Sequence, residues 1–115
     1  MKLLYVENHG VFAKQVTAQF LSAHEVEIVP SLALAREAFR AGNYDLLLVD
    51  YDLDDGKGDE FVLEVRVVAP GLAVIGVSSH EMGNQALLEA GANAICSKME
   101  FNNIQKVIER IGLTF

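Results

Sequence analysis

Short apolar runs alternate along this chain with longer stretches in which apolar residues recur at helical spacing. Residues 46–49, Leu-Leu-Leu-Val, are apolar without alternation. Such a run is typical of a strand buried on both faces, so we expect it at the centre of a sheet. Residues 25–28 alternate polar and apolar side chains, which predicts an edge strand with one solvated face. The predicted strands are residues 3–6, 25–28, 46–49, 73–77 and 94–96.

A stretch of helical period follows each predicted strand. Asn8 is the predicted N-cap of the first helix and Ser31 that of the second, which Gly42 ends. Strict alternation of strands and helices, joined by right-handed crossovers, predicts an α/β fold with a doubly wound parallel sheet covered on both faces. The predicted helices lie near residues 11–20, 32–39, 60–68, 85–90 and 101–111.

Length and composition limit the classes of protein to consider. With 115 residues, 51% of them hydrophobic and 22% charged, we predict one domain over residues 1–115. No apolar run approaches the roughly 18 residues of a membrane span, and no signal peptide is evident. The lone Cys96 cannot form an internal disulfide, so we expect a cytoplasmic protein.

The charge is acidic and unevenly distributed. Nine Lys and Arg residues against 16 Asp and Glu residues give a net charge of −7, which argues against direct binding of nucleic acid. Acidic residues concentrate just after the central strand, where most of them are interpreted as solvated loop and helix-start charges. These residues are Asp50, Asp52, Asp54, Asp55, Asp59 and Glu60.

Polar residues follow the predicted strands at the points where the strands end. In a parallel sheet these ends share one edge, where ligands bind. Clustered carboxylates there require a cation or raised pKa values, and Mg²⁺ prefers oxygen ligands. A carboxylate also accepts a phosphoryl group, whose charge a lysine and a hydroxyl stabilise. The residues concerned are Glu7 and Asn8, Asp50 and Asp52, Ser78, Ser79 and His80, and Ser97 and Lys98.

The order and spacing of several segments resemble a known family from end to end. The matching segments are Leu4–Asn8, Leu47–Asp50, Gly58, Val74–Ser79 and Gly91–Lys98. Together they resemble the receiver domain of two-component response regulators, the CheY-like fold. The resemblance implies a flavodoxin-like (βα)5 architecture with strand order 2-1-3-4-5.

The resemblance also implies roles for individual residues. Asp50 stands at the phosphoacceptor position, Ser78 at the hydroxyl position that turns towards the phosphoryl group, and Lys98 at the lysine that pairs with it. Glu7, Asn8, Asp50 and the backbone carbonyl of Asp52 stand at the positions that hold Mg²⁺. The implied partners are a histidine kinase or phosphotransfer protein and a downstream partner or effector domain. The domain then signals rather than acting as an enzyme, beyond promoting its own phosphorylation and dephosphorylation.

Four positions depart from the family pattern. Asn8 replaces an aspartate, which removes one negative charge and predicts weaker Mg²⁺ binding. Ile95 replaces the switch aromatic, so the usual coupled rotation of hydroxyl and ring cannot operate. Asp54 and Met99 stand where prolines are common. These departures leave open a second reading, a pseudo-receiver that binds partners without phosphorylation.

Other readings of the same residues are weaker. Asp50 alone could cap the turn after its strand, Ser78 could be a turn former and Lys98 a solvated lysine. The spacing Asp50-x-Asp52-x-Asp54 mimics a calcium loop, but the required glycine and glutamate are missing. Asp50-Tyr51-Asp52 resembles the first motif of haloacid-dehalogenase-like phosphatases, yet it lies mid-chain and no later acidic pair follows. His80 is interpreted as a loop residue beside Ser78.

Overall fold

The structure is a computed structural model that describes residues 1–112. Residues 113–115, the end of the predicted domain, lie outside the described residues. In chain order the elements are β1 (Lys2–Val6), α1 (Gly10–Phe20), β2 (Glu25–Val29), α2 (Leu32–Ala41), β3 (Leu46–Val49), β4 (Asp52–Leu53), β5 (Gly56–Lys57), α3 (Gly58–Val68), β6 (Ala73–Gly76), α4 (Glu81–Ala90), β7 (Ala94–Ile95), a 3-10 helix (Lys98–Asn103) and α5 (Ile104–Arg110).

Five of the strands form one parallel sheet in the order β2-β1-β3-β6-β7. Counted within this sheet, the order is the predicted 2-1-3-4-5, and the predicted flavodoxin-like fold is confirmed. Val49, at the end of β3, lies beside Val6 on one side and Gly76 on the other. The whole of β3 is buried, as its unbroken apolar run predicts. The ends of β1, β3 and β6 therefore lie side by side at one edge.

Side-chain alternation along the strands divides the core into two layers. Leu4, Val6 and Val49 face one layer, which α2, α3 and α4 cover. Leu3 and Tyr5 face the other layer, which α1 and α5 cover. Each helix supplies a stripe of buried side chains, which is why the alternating pattern of the chain produces a sheet covered on both faces.

Several predicted boundaries differ from the structure. The N-cap of α1 is His9, not Asn8, and it makes no side-chain capping bond. Ser31 does cap α2, because its Oγ accepts the N–H of Leu34 at 3.2 Å. Helix α4 begins at Glu81, four residues before the predicted start. The last helical segment starts as a 3-10 helix at Lys98, whose side chain makes tertiary contacts that periodicity alone does not reveal.

An antiparallel hairpin of β4 and β5 was not predicted. It lies between the central strand and α3, inside the acidic stretch. Gly56 has φ +151° in this hairpin, a conformation that favours glycine. The hairpin is held by an ion pair between Lys57 and Asp52, so part of the predicted solvated loop is ordered. No helix among residues 1–112 is long and apolar enough to cross a membrane.

Candidate functional site

Asp50 lies directly after β3 at the edge where the central strands end. Its backbone N–H donates to the carbonyl of Val6 at 3.0 Å, which continues the sheet pairing one residue beyond the strand. The residue is only 3% exposed. Its Oδ1 accepts the N–H of Tyr51 at 2.8 Å. The buried central strand therefore presents a carboxylate with one oxygen oriented by the backbone.

Lys98 joins Asp50 to Glu7, and we call these three residues the charged centre. Lys98 Nζ lies 2.8 Å from Asp50 Oδ2 and 2.8 Å from Glu7 Oε1. Glu7 is fully buried, and its Oε2 accepts the N–H of His9 at 3.2 Å. Two carboxylates and one ammonium leave this centre with a formal charge of −1. The structure thus brings together the three residues predicted from the ends of three different strands.

Burial and hydrogen bonding oppose each other in setting the pKa values of the charged centre. Burial, and then repulsion from Asp50, raise the pKa of Glu7 against the hydrogen bond from Lys98. Burial acts to lower the pKa of Lys98, but hydrogen bonds to Asp50 and Glu7 outweigh it, and the net shift is upward. Burial and the nearby Glu7 carboxylate also raise the pKa of Tyr5. Lys98 therefore stays charged, and a further cation here is electrostatically favourable.

Ser78 lies buried two residues after the end of β6, beside the charged centre. Within residues 1–112 its Oγ makes no hydrogen bond to Asp50 or Lys98; it accepts the N–H of His80 at 3.1 Å. Its backbone carbonyl accepts the N–H of Lys98 at 3.2 Å. The serine is therefore tied to Lys98 through the backbone, with its hydroxyl directed to the following loop.

Asn84 holds Ser78 in place and was missed by the sequence reasoning. Its Oδ1 accepts the N–H of Ser78 at 3.0 Å, and its Nδ2 donates to the carbonyl of Ser78 at 3.0 Å. Asn84 is 4% exposed in the first half of α4. The sequence predicts no helix at Asn84, because Gly83 and Asn84 are poor helix formers and lie just before the predicted start at residue 85, so it carries no clear signal for this contact.

Two glycines let the backbone approach this site closely. A Cβ on Gly58 would lie 1.8 Å from the carbonyl oxygen of Asp50, so any other residue there requires the backbone to move. A Cβ on Gly83 would lie 2.6 Å from Ser78 Oγ. These approaches fix the start of α3 against Asp50 and the start of α4 against Ser78.

The other predicted metal ligands do not contact the charged centre through hydrogen bonds. Asn8 Nδ2 donates to Asp54 Oδ1 at 3.3 Å, and Asn8 Oδ1 is buried without a hydrogen-bond partner in the described part of the chain. The Asp52 side chain pairs with Lys57 and lies 3.9 Å from His80 Nε2. No three His, Cys, Asp or Glu side chains among residues 1–112 form a metal cluster.

The predicted donor set nevertheless suits a hard cation. It comprises two buried carboxylates, from Glu7 and Asp50, the unpartnered amide oxygen of Asn8 and the backbone carbonyl of Asp52. All are oxygen atoms, the ligands that Mg²⁺ prefers, and Mg²⁺ needs only one or two carboxylates when waters and a phosphoryl group complete its shell.

Ile95 ends β7 and is 39% exposed. Its Cγ2 lies 3.4 Å from the point where a Cβ on Gly76 would stand. The side chain is aliphatic, so it has no aromatic ring that could rotate together with the serine hydroxyl. Met99, the residue after Lys98, is 83% exposed.

Comparison with known proteins decides the family. Residues 3–111 match the response regulator receiver domain family. The chain belongs to this family. It is therefore a receiver domain of two-component signalling, a class of signalling domain rather than of classical enzymes. No protein with a curated function matches its sequence.

Solved receiver structures share the fold of this receiver at low sequence identity. A CheY-like receiver from Methanospirillum hungatei is 22% identical, with TM-score 0.82 over 96% of this chain and 92% of that chain. The response regulator TrrA from Thermotoga maritima, in complex with Mg²⁺ and beryllium fluoride, is 18% identical, with TM-score 0.86 over 96% and 97%. A Francisella receiver is 18% identical, with TM-score 0.79 over 96% and 92%. These likenesses concern the fold alone.

Proposed function

We propose that Asp50 accepts a phosphoryl group from a histidine kinase or a phosphotransfer protein, with Mg²⁺, and that the acyl phosphate alters a protein-interaction face. The observation that carries this proposal is the position of Lys98 Nζ, 2.8 Å from both Asp50 and Glu7. A buried ammonium between two buried carboxylates costs desolvation energy. We infer that the ammonium serves to neutralise the negative charge of a phosphoryl group added to Asp50.

The transfer exchanges one bond to phosphorus for another. A carboxylate oxygen of Asp50 forms a bond to phosphorus while the P–N bond of the donor phosphohistidine breaks. The bonding electron pair leaves with the imidazole nitrogen, which takes a proton from solvent. Tyr51 N–H orients the carboxylate through Oδ1, and Lys98 stays beside it to balance the charge of about −1.5 to −2 on the phosphoryl group.

Glu7, Asn8, Asp50 and the Asp52 carbonyl are the residues that we expect to hold Mg²⁺. When bound, Mg²⁺ supplies positive charge to the phosphoryl oxygens. Only two of these ligands, Glu7 and Asp50, carry a negative charge, because residue 8 is an asparagine with a neutral amide. We therefore expect a functional but weakened metal site. The complex of TrrA with Mg²⁺ and beryllium fluoride supports this chemistry for a protein of the same fold.

We propose that the change at Asp50 is transmitted to the protein-interaction face through Ser78 and the last strand of the sheet. On phosphorylation we expect the Ser78 hydroxyl to leave the N–H of His80 and donate to a phosphoryl oxygen. The responding face comprises α4, β7 and α5, with Ile95 at its edge. Since Ile95 has no aromatic ring to rotate, the change is transmitted by packing of its aliphatic side chain. We place this signalling in the cytoplasm, in keeping with a single buried cysteine, Cys96.

A pseudo-receiver is the second candidate, and Asn8 is the observation that favours it. The Asn8 side chain donates to Asp54 rather than to the charged centre. A constitutive interaction module needs no metal and retains the fold for its surface.

Amide NMR spectra with Mg²⁺ and beryllium fluoride, a phosphoryl mimic, distinguish the two candidates. We expect shifts centred on Asp50, Ser78 and Lys98 that spread towards Ile95. Asp50→Asn should abolish them, whereas Asp45→Asn, which alters an exposed side chain just before β3 and away from the charged centre, should retain them. A spectrum that stays unchanged at saturating Mg²⁺ contradicts phosphorylation and favours the pseudo-receiver.

A further inference from the structure

Helix α3 exposes apolar side chains on its outer surface. Leu63 is 54% exposed, Val67 85% and Val68 74%. The opposite side of the helix buries Phe61 and Val65 in the core. Valine is a mediocre helix former, so the exposed valines bring neither helix propensity nor burial within this chain. We call Leu63, Val67 and Val68 the α3 ridge.

An apolar groove lies beside this ridge, between α2 and α3. Its volume is about 760 Å³, and Val68 belongs to both ridge and groove. Phe39 and Phe61 form its floor as an edge-to-face pair with ring centroids 6.0 Å apart. Tyr44 lines one wall, where its hydroxyl donates to Glu27 at 2.8 Å. The groove is therefore held open by fixed aromatic rings.

The charges around α3 are of opposite sign at its two ends. Arg40 lines the groove near the C-terminal end of α3 and makes no ion pair within residues 1–112. Arg36, farther along the same groove, is already held by Glu64 at 2.8 Å. Asp59 and Glu60 occupy the first turn of α3. One end thus offers an unpaired cation and the other end offers acids.

We propose that a second copy of this chain docks on this surface, with the two α3 helices antiparallel across a twofold axis. In that arrangement each ridge covers the partner's ridge and groove mouth. Each Arg40 then lies near Glu60 of the other copy, and the twofold axis repeats this pair of opposite charges, so the interface contains it twice. A small ligand in the groove would leave Leu63 and Val67 exposed, and the acids Asp59 and Glu60 in the first turn of α3 would repel an anionic membrane surface.

The proposed contact is small, so the dimer should be weak. One helix and one groove wall bury less than the roughly 1,200 Å² of standard interfaces. We therefore expect a monomer at low concentration and a dimer in reversible equilibrium as the concentration approaches about 1 mM, at the weak end of the affinity scale.

Sedimentation velocity over a concentration series tests the apolar part of the proposal. Val67→Asp should abolish the dimer, because a carboxylate replaces an apolar contact at its centre. Val11→Asp is the matched control: Val11 is also exposed, at 74%, but lies on α1, and the dimer should remain. Circular dichroism verifies that both variants fold. A protein that stays monomeric throughout, or a dimer that survives Val67→Asp, overturns the proposal.

A charge exchange tests the antiparallel geometry separately. Arg40→Glu alone and Glu60→Arg alone should each raise the dissociation constant of the dimer at least about fivefold. Each change removes an exposed ion pair that the twofold axis repeats, so two such pairs are lost. The variant that carries both changes should recover most of the affinity, because each reversed charge meets a reversed partner. Additive losses in the double variant would exclude this pairing of α3 helices.

Discussion

Two neighbouring acidic regions, the charged centre that contains Asp50 and the β4–β5 hairpin that follows it, both pair acids with a lysine, but the pKa values of their acids shift in opposite directions. In the charged centre, Lys98 joins Glu7 and Asp50, and the side chains are 14% exposed or less. In the β4–β5 hairpin, Lys57 joins Asp52, and both side chains are about half exposed. The pKa of Glu7 is raised by burial, whereas the pKa of Asp52 is lowered by the hydrogen bond from Lys57. The two regions have a similar composition, so the difference in burial decides the direction in which the pKa of the carboxyl group shifts.

The hairpin also has a structural role, because one of its exposed acidic side chains caps helix α2. Asp55 Oδ1 accepts the N–H of Leu32 at 2.8 Å, and Oδ2 accepts that of Ala33 at 3.0 Å. These bonds lower the pKa of Asp55. The interpretation of Asp55 as a solvated charge was therefore incomplete, because it caps a helix that precedes it by more than twenty residues. Together with Ser31, it satisfies the first N–H groups of α2.

The largest difference between the regions should come from removing each lysine. Lys98→Met leaves two buried carboxylates without a partner, and we expect a loss of about 3–5 kcal/mol in the free energy of unfolding at neutral pH. Lys57→Met removes an exposed pair and should cost far less. Urea denaturation of both variants beside the parent protein measures the contrast. Similar losses in the two variants would show that burial does not separate these pairs.

The pH dependence of stability should have opposite signs in the two regions. Because the pKa of Glu7 is raised above its usual 4.5, its contribution is full below that value and is lost as the pH rises through the raised pKa. Because the pKa of Asp55 is lowered below 3.8, its contribution is present above that value and is lost as the pH falls through the lowered pKa.

Two isosteric variants separate these contributions. Glu7→Gln should remove the decline on the alkaline side of pH 4.5 and keep the acid-side decline. Asp55→Asn should weaken the acid-side decline alone. Unfolding free energies from about pH 2 to 8 provide the measurement. Parallel pH profiles for the parent and both variants would contradict the assigned directions.

The smallest effect should come from Asn8, which links the regions through its bond to Asp54. Asn8→Asp replaces that bond with carboxylate repulsion, so we expect a loss of about 1 kcal/mol or less without metal. The added charge should also tighten Mg²⁺ binding, measured by NMR titration. Asn102→Asp, on the exposed side of the 3-10 helix, serves as the control for net charge. Unchanged Mg²⁺ affinity would show that residue 8 is not a metal ligand.

Local patterns predicted much of the fold because each depends on neighbours in the chain. The apolar run of β3 and the alternation of β2 identified a central and an edge strand. Ser31 was identified as a cap from its position before a helical stripe. Asn8 failed as a cap because its side chain bonds to Asp54, forty-six positions away. The hairpin and the early start of α4 were missed because tertiary contacts extend these elements beyond their apolar pattern.

By itself, the sequence determined that Glu7, Asp50, Ser78 and Lys98 follow strand ends, and parallel strands bring such ends to one edge. Only the tertiary structure decided that Lys98 reaches both carboxylates, that Asn84 fastens Ser78 and that the Ser78 hydroxyl does not contact Asp50. The physical reason is the distance along the chain over which each property is set. A strand end is a local property of the chain, whereas burial, pKa direction and hydrogen-bond partners depend on residues that only folding brings together.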